Sequence, residues 1–71
     1  MDNKEILKMR LQAWIYEGVQ LELEMVETNH KLSGLSKSDE DYDYYKRISI
    51  LEQKKMEMIN KRIDTYSKAD Y

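Results

Sequence analysis

Apolar residues return along the first half of the chain at alternating steps of four and three: Leu7, Leu11, Trp14, Gly18, Leu21, Met25, Thr28, Leu32. That spacing is a heptad seam and predicts a helix over about residues 3–33, ~48 Å long. Asp2 stands where a cap belongs, and Glu5 three residues on completes a capping box. Gly18 interrupts the seam and costs ~1 kcal/mol of helix propensity relative to Ala, so a side chain from elsewhere must fill the gap it leaves. Beside the seam lie Ile15, Val19 and Val26. Further round lie Met9, Tyr16, Leu23 and His30, spaced by sevens. The helix is thus apolar over more than the width of a two-stranded seam.

The second half carries a matching stripe: Tyr44 or Tyr45, Ile48, Leu51, Lys55, Met58, Arg62, Tyr66, with Met56, Ile59 and Ile63 beside it. It predicts a helix over about 38–68, with Ala69, Asp70 and Tyr71 fraying beyond it. Between the two helices, about residues 34–38 read as a turn. Gly34 is expected in the left-handed conformation that ends a helix. Ser36 or Ser38 is expected to cap the next one, with Asp39, Glu40 and Asp41 in its first turn. The chain contains no proline. Two helices of matching length joined by a short turn make one all-α domain over 1–71, an antiparallel helical hairpin.

A short turn fixes register. Partner positions whose numbers sum to roughly 73, within about one helical turn, place Leu7 by Tyr66, Trp14 by Met58, Leu21 by Leu51 and Met25 by Ile48. The expected hairpin core is then Leu7, Leu11, Trp14, Leu21, Met25, Ile48, Leu51, Met58 and Tyr66. In this register the Lys55 stem lies across Gly18, its ammonium reaching Glu17 or Glu22, and Arg62 stacks on Trp14. The remaining apolar set is Ile15, Val19, Val26, Met56, Ile59 and Ile63, with Tyr45. It is expected to form one continuous face. A chain of 71 residues rarely draws more than ~3–5 kcal/mol from a single core, so that face is the expected interface of a homodimer, a four-helix bundle.

Composition narrows the alternatives. There is no Cys and one His, so neither disulfides nor a structural metal staples the fold. A net charge of −2 with mixed signs excludes the strongly basic hairpins of ribosomes and gives no field for nucleic acid. The opening Met-Asp-Asn-Lys-Glu has no apolar run of a signal peptide, and nothing approaches the ~18 apolar residues of a membrane span. The expected location is the cytoplasm. Lys outnumbers Arg, and Asn, Ile and Tyr are frequent, a usage that points to an AT-rich source such as a low-GC bacterium or its phage.

No constellation for catalysis is present. His30 is the lone general base of the usual kind, with no nucleophile–base–acid set around it. Asp39, Glu40, Asp41 and Asp43 lack the Gly and Glu of a calcium loop and read as a helix N-terminus. Glu27 and His30 match one copy of a Glu-x-x-His metal motif, but one copy near a helix end makes no site. No catalytic residue, metal or cofactor is therefore assigned. Tyr42 and Tyr44, with Asp39, Glu40 and Asp41, form a candidate partner contact at the turn end. Lys54, Lys55, Lys61, Arg62 and Lys68 are broken up by Glu52, Glu57 and Asp64 and read as a solvated face. In outline and acidic charge the hairpin resembles the small subunit of exonuclease VII and small helical co-chaperones of secretion systems. Neither family's residue pattern lies on this chain, the Trp-x-Gly turn of secreted hairpins is absent, and no family is assigned. The expected function is protein–protein contact by a homodimer that binds another protein, as adaptor, subunit, regulator or inhibitor. The alternatives are a nucleic-acid-binding hairpin dimer and an acidic DNA mimic.

Overall fold

A computed structural model describes residues 2–68. The expected fraying of Ala69–Tyr71 lies outside them. Two helices, α1 (Asn3–Ser33) and α2 (Glu40–Lys68), pack against each other as an antiparallel hairpin. The hairpin is a rod of 54 × 15 × 13 Å along its principal axes. Among the described residues no helix is long and apolar enough to cross a membrane.

Asp2 caps α1: its Oδ1 accepts from the Glu5 amide at 2.9 Å, satisfying one of the amides a helix start leaves free. The turn differs from expectation. Gly34 is right-handed, with φ −92° and ψ −2°, and no described residue has positive φ. The end of α1 tightens instead, with Gly34 N donating to Lys31 O and Leu35 N to Leu32 O, both at 3.2 Å. These i→i−3 bonds satisfy the last carbonyls without a left-handed residue. Nor does a serine cap α2. The Ser36 and Ser38 hydroxyls bond each other at 3.0 Å. Asp39 takes the cap, its Oδ1 accepting from Asp41 N at 3.1 Å. A carboxylate at this place adds charge–dipole attraction to the hydrogen bond, which a hydroxyl cannot. The helix accordingly starts at Glu40, not near 38.

The α1 seam lies where its heptads place it. Gly18, Leu21 and Thr28 are buried, and Leu7, Leu11, Trp14, Met25 and Leu32 are partly buried. The α2 seam lies elsewhere than expected. It runs through Tyr42, Tyr45, Ser49, Glu52, Met56, Ile59, Ile63 and Tyr66, one position round the helix from the expected stripe. Ile59 is fully buried while Leu51 is 64% exposed, and Met58 and Lys55 are exposed too. The physical reason is charge. The expected stripe would bury Lys55 and Arg62, each at several kcal/mol without a partner. The observed one buries a hydroxyl, Ser49, and one carboxylate, Glu52.

Gly18 sets the register. A Cβ placed there would stand 3.4 Å from Ile59 Cγ2 and 3.9 Å from Ile63 Cδ1. The gap in α1 is therefore filled by two isoleucines, not by the Lys55 stem. The helices are shifted by about one turn from the expected register. Gly18→Ala should fit, since both contacts are of ordinary van der Waals length, and should stabilise by about 0.5–1 kcal/mol through helix propensity. Gly18→Leu should instead overpack and cost about 1–3 kcal/mol. Thermal unfolding of both variants checks this; a leucine variant that melts above wild type would place Gly18 outside the seam.

Candidate interaction surfaces

What α1 leaves outside the seam is a second stripe with the same spacing. Met9, Tyr16, Val19, Leu23 and Val26 follow heptad steps on the opposite side of the helix, with Gln12 and His30 at the remaining positions and Ile15 alongside. All are exposed, the apolar ones between 45% and 66%. Charged residues of this part of α1, such as Arg10, Glu17, Glu22, Glu24 and Glu27, fall outside both stripes. The turn of the heptad that keeps one set of positions on α2 necessarily keeps this set away from it.

The exposed stripe of α2 is the one expected to be its core: Tyr44, Leu51 and Met58, with Ile48 partly buried at its edge. Lys55 and Arg62 lie in the same row. The Arg62 guanidinium sits over the Trp14 ring, 5.6 Å from its centroid, so the expected cation–π stack forms. Below it, Arg10, Ala13, Trp14, Glu17, Lys55 and Met58 line an open groove of about 490 Å³. Glu17 and Lys55 share this groove without an ion pair. Among the described residues the one salt bridge is Lys68 Nζ to Asp64 Oδ1, at 3.2 Å.

The expected dimer face therefore divides. Ile15, Val19 and Val26 are exposed on α1, but Tyr45, Met56 and Ile63 are partly buried and Ile59 fully buried within the hairpin. Ile59 is thus withdrawn from the outer surface, and Tyr45, Met56 and Ile63 are partly withdrawn from it. At the turn end Tyr42 is partly buried and Tyr44 exposed. Tyr44 meets Tyr45 edge-on, with centroids 5.2 Å apart and planes at 76°. Lys31 Nζ lies 5.2 Å from the Tyr45 centroid. Asp39, Glu40 and Asp41 are exposed, and Asp39 is occupied as a cap.

A polar layer in the seam went unread in the sequence. Thr28 and Ser49 are each 7% exposed and Glu52 9%. Thr28 Oγ1 donates to its own helix at Glu24 O, 3.0 Å away. Glu52 Oε1 is buried with no hydrogen-bond partner. The register that sets Gly18 against Ile59 brings Met25 level with Glu52 and Thr28 level with Ser49. The signal lay in the gap: six of eight positions from Tyr42 to Tyr66 at heptad spacing are aromatic, Ile or Met, interrupted by Ser49 and Glu52.

Glu27 and His30 are exposed on the outside of α1, not turned inward. Among the described residues no group of three His, Cys, Asp or Glu side chains is placed to hold a metal ion. Comparison with protein-family models, with curated proteins and with solved structures gives no match.

Proposed function

We propose that this hairpin works by protein contact in the cytoplasm, without catalysis, as a homodimer of four helices that serves as an adaptor, subunit or small regulator of another protein. The observation that carries the reading is the apolar surface left on both outer faces. Monomeric soluble proteins rarely leave a contiguous patch beyond ~300–600 Å² uncovered, and a two-helix hairpin has no third element to cover it. Transferring one large apolar side chain out of water is worth ~1.5–3 kcal/mol, against ~0–1 kcal/mol for a surface ion pair.

The nucleic-acid reading draws on a row of cations at sevenfold spacing along the outside of α2, Arg47, Lys54, Lys61 and Lys68, all exposed. Three of the four have an acid four residues before them: Asp43, Glu57 and Asp64. Pairs at that spacing neutralise one another along a helix, which leaves little net charge for phosphates. Sedimentation equilibrium and a gel shift on the same preparation separate the readings. Self-association at micromolar concentration with no retardation of DNA or RNA at low salt supports protein contact; a monomer that retards nucleic acid removes it.

A further inference from the structure

We infer that the outer stripe of α1 is where two copies of this chain meet, antiparallel about a two-fold axis, so that the four helices lie in a row with the α1 pair in the middle. The inference rests on the self-association proposed above and names the surface that performs it. A two-fold axis sets a stripe against its own copy, so each stripe must tolerate itself. The middle of the α2 stripe is Lys55, with Arg62 one helical repeat on, and a two-fold axis there sets cation against cation. The middle of the α1 stripe is Val19, and from Met9 to His30 it carries no Asp, Glu, Lys or Arg.

Its ends also complement each other. Sliding two copies antiparallel until Val19 levels with Leu23 brings Tyr16 level with Val26 and Gln12 level with His30. Large side chains then face small ones, and the two polar positions face each other at both ends, where an amide and an imidazole can share a hydrogen bond. Moving one heptad along would set Leu23 on Gln12 and lose that match. The six exposed apolar side chains, Ile15 included, present on the order of 600 Å² per copy, so two copies bury on the order of 1,200 Å², the lower end of a specific interface. Because this stripe and the hairpin seam occupy opposite sides of α1, the pair forms a row and not a closed square of helices. The groove beside Trp14 and the α2 stripe stay outward.

The test uses the full chain and two substitutions at exposed positions that spare the hairpin seam: Leu23→Asp on α1 and Leu51→Asp on α2. The wild type and Leu51→Asp should sediment as dimers. Leu23→Asp should weaken self-association by about a hundredfold or more, since it sets two carboxylates in an apolar interface, with its circular dichroism unchanged. If Leu23→Asp stays dimeric and Leu51→Asp becomes monomeric, the assignment to α1 is overturned while self-association stands. A wild type that is monomeric at high micromolar concentration overturns both. Orientation is read by cross-linking, because the chain has no cysteine. Mixing Gln12→Cys with His30→Cys should yield a disulfide between the two different variants. Dimers bridged like to like within each variant would overturn the antiparallel arrangement.

Discussion

Ile59→Ala is expected to unfold the hairpin at ordinary temperature, whereas Leu51→Ala changes its stability by no more than about 0.5 kcal/mol. Both are large aliphatic residues of α2, eight positions apart, and the sequence alone ranks Leu51 as core. Ile59 is fully buried, its Cγ2 3.4 Å from where a Cβ on Gly18 would stand, and Leu51 is 64% exposed. Removing a fully buried isoleucine side chain costs about 2–5 kcal/mol in lost burial and in the cavity left behind. A core this small supplies only ~3–5 kcal/mol in all. Gly18 cannot move in to close the cavity, since it has no side chain to do so. Urea unfolding followed by circular dichroism reads both variants. The opposite ranking would mean that α2 is rotated by one position and that its other stripe faces α1.

The second large effect has the opposite sign. Glu52→Leu should stabilise the hairpin by about 1–3 kcal/mol, the penalty of a buried polar group left without a partner. For a domain of this size each kcal/mol raises Tm by about 4–8 °C. Glu52→Gln is the control: it removes the charge and keeps an unpartnered polar group in the same place, so it should recover less. A leucine variant that melts below wild type would show that the Glu52 carboxylate has a stabilising partner. Met25, level with it on α1, offers no donor. Differential scanning calorimetry on the three proteins decides.

Much of the fold was legible because α1 leaves little choice. Its seam contains no charge between Leu7 and Leu32 and runs the length of the helix, whereas the outer stripe, equally free of charge, spans only Met9 to His30 and includes Gln12 and His30. On α2 two stripes one position apart carry nearly equal apolar content. Periodicity cannot rank them. What ranks them is tertiary: whether two cations or a serine and a glutamate enter the seam, and whether Gly18 receives a β-branched side chain. The turn was legible in place but not in chemistry. Gly34 read as left-handed because glycine so often is, yet i→i−3 bonds end α1 without it, and a carboxylate at Asp39 outcompetes the two hydroxyls before it. Of the apolar residues read as an interface, those on α1 are exposed. Tyr45, Met56, Ile59 and Ile63 were misplaced by the same one-position rotation, since each belongs to the seam the sequence had passed over.

The polar layer also divides the hairpin along its length. On the turn side, Leu32, Leu35, Tyr42 and Tyr45 are partly buried together, with Lys31 over the Tyr45 ring. On the far side lie Gly18, Leu21 and Ile59. Lys31 and Tyr45 are fourteen residues apart in the chain, Gly18 and Ile59 forty-one. By the logarithmic law for loops, closing the longer one costs about 1 kcal/mol more, and Thr28, Ser49 and Glu52 contribute little apolar contact to link the two clusters. Local opening is therefore uneven. The half-buried ends open first, and because burial of Ile59, worth about 2–5 kcal/mol, outweighs that entropy difference, the amides around Gly18 and Ile59 exchange with solvent last.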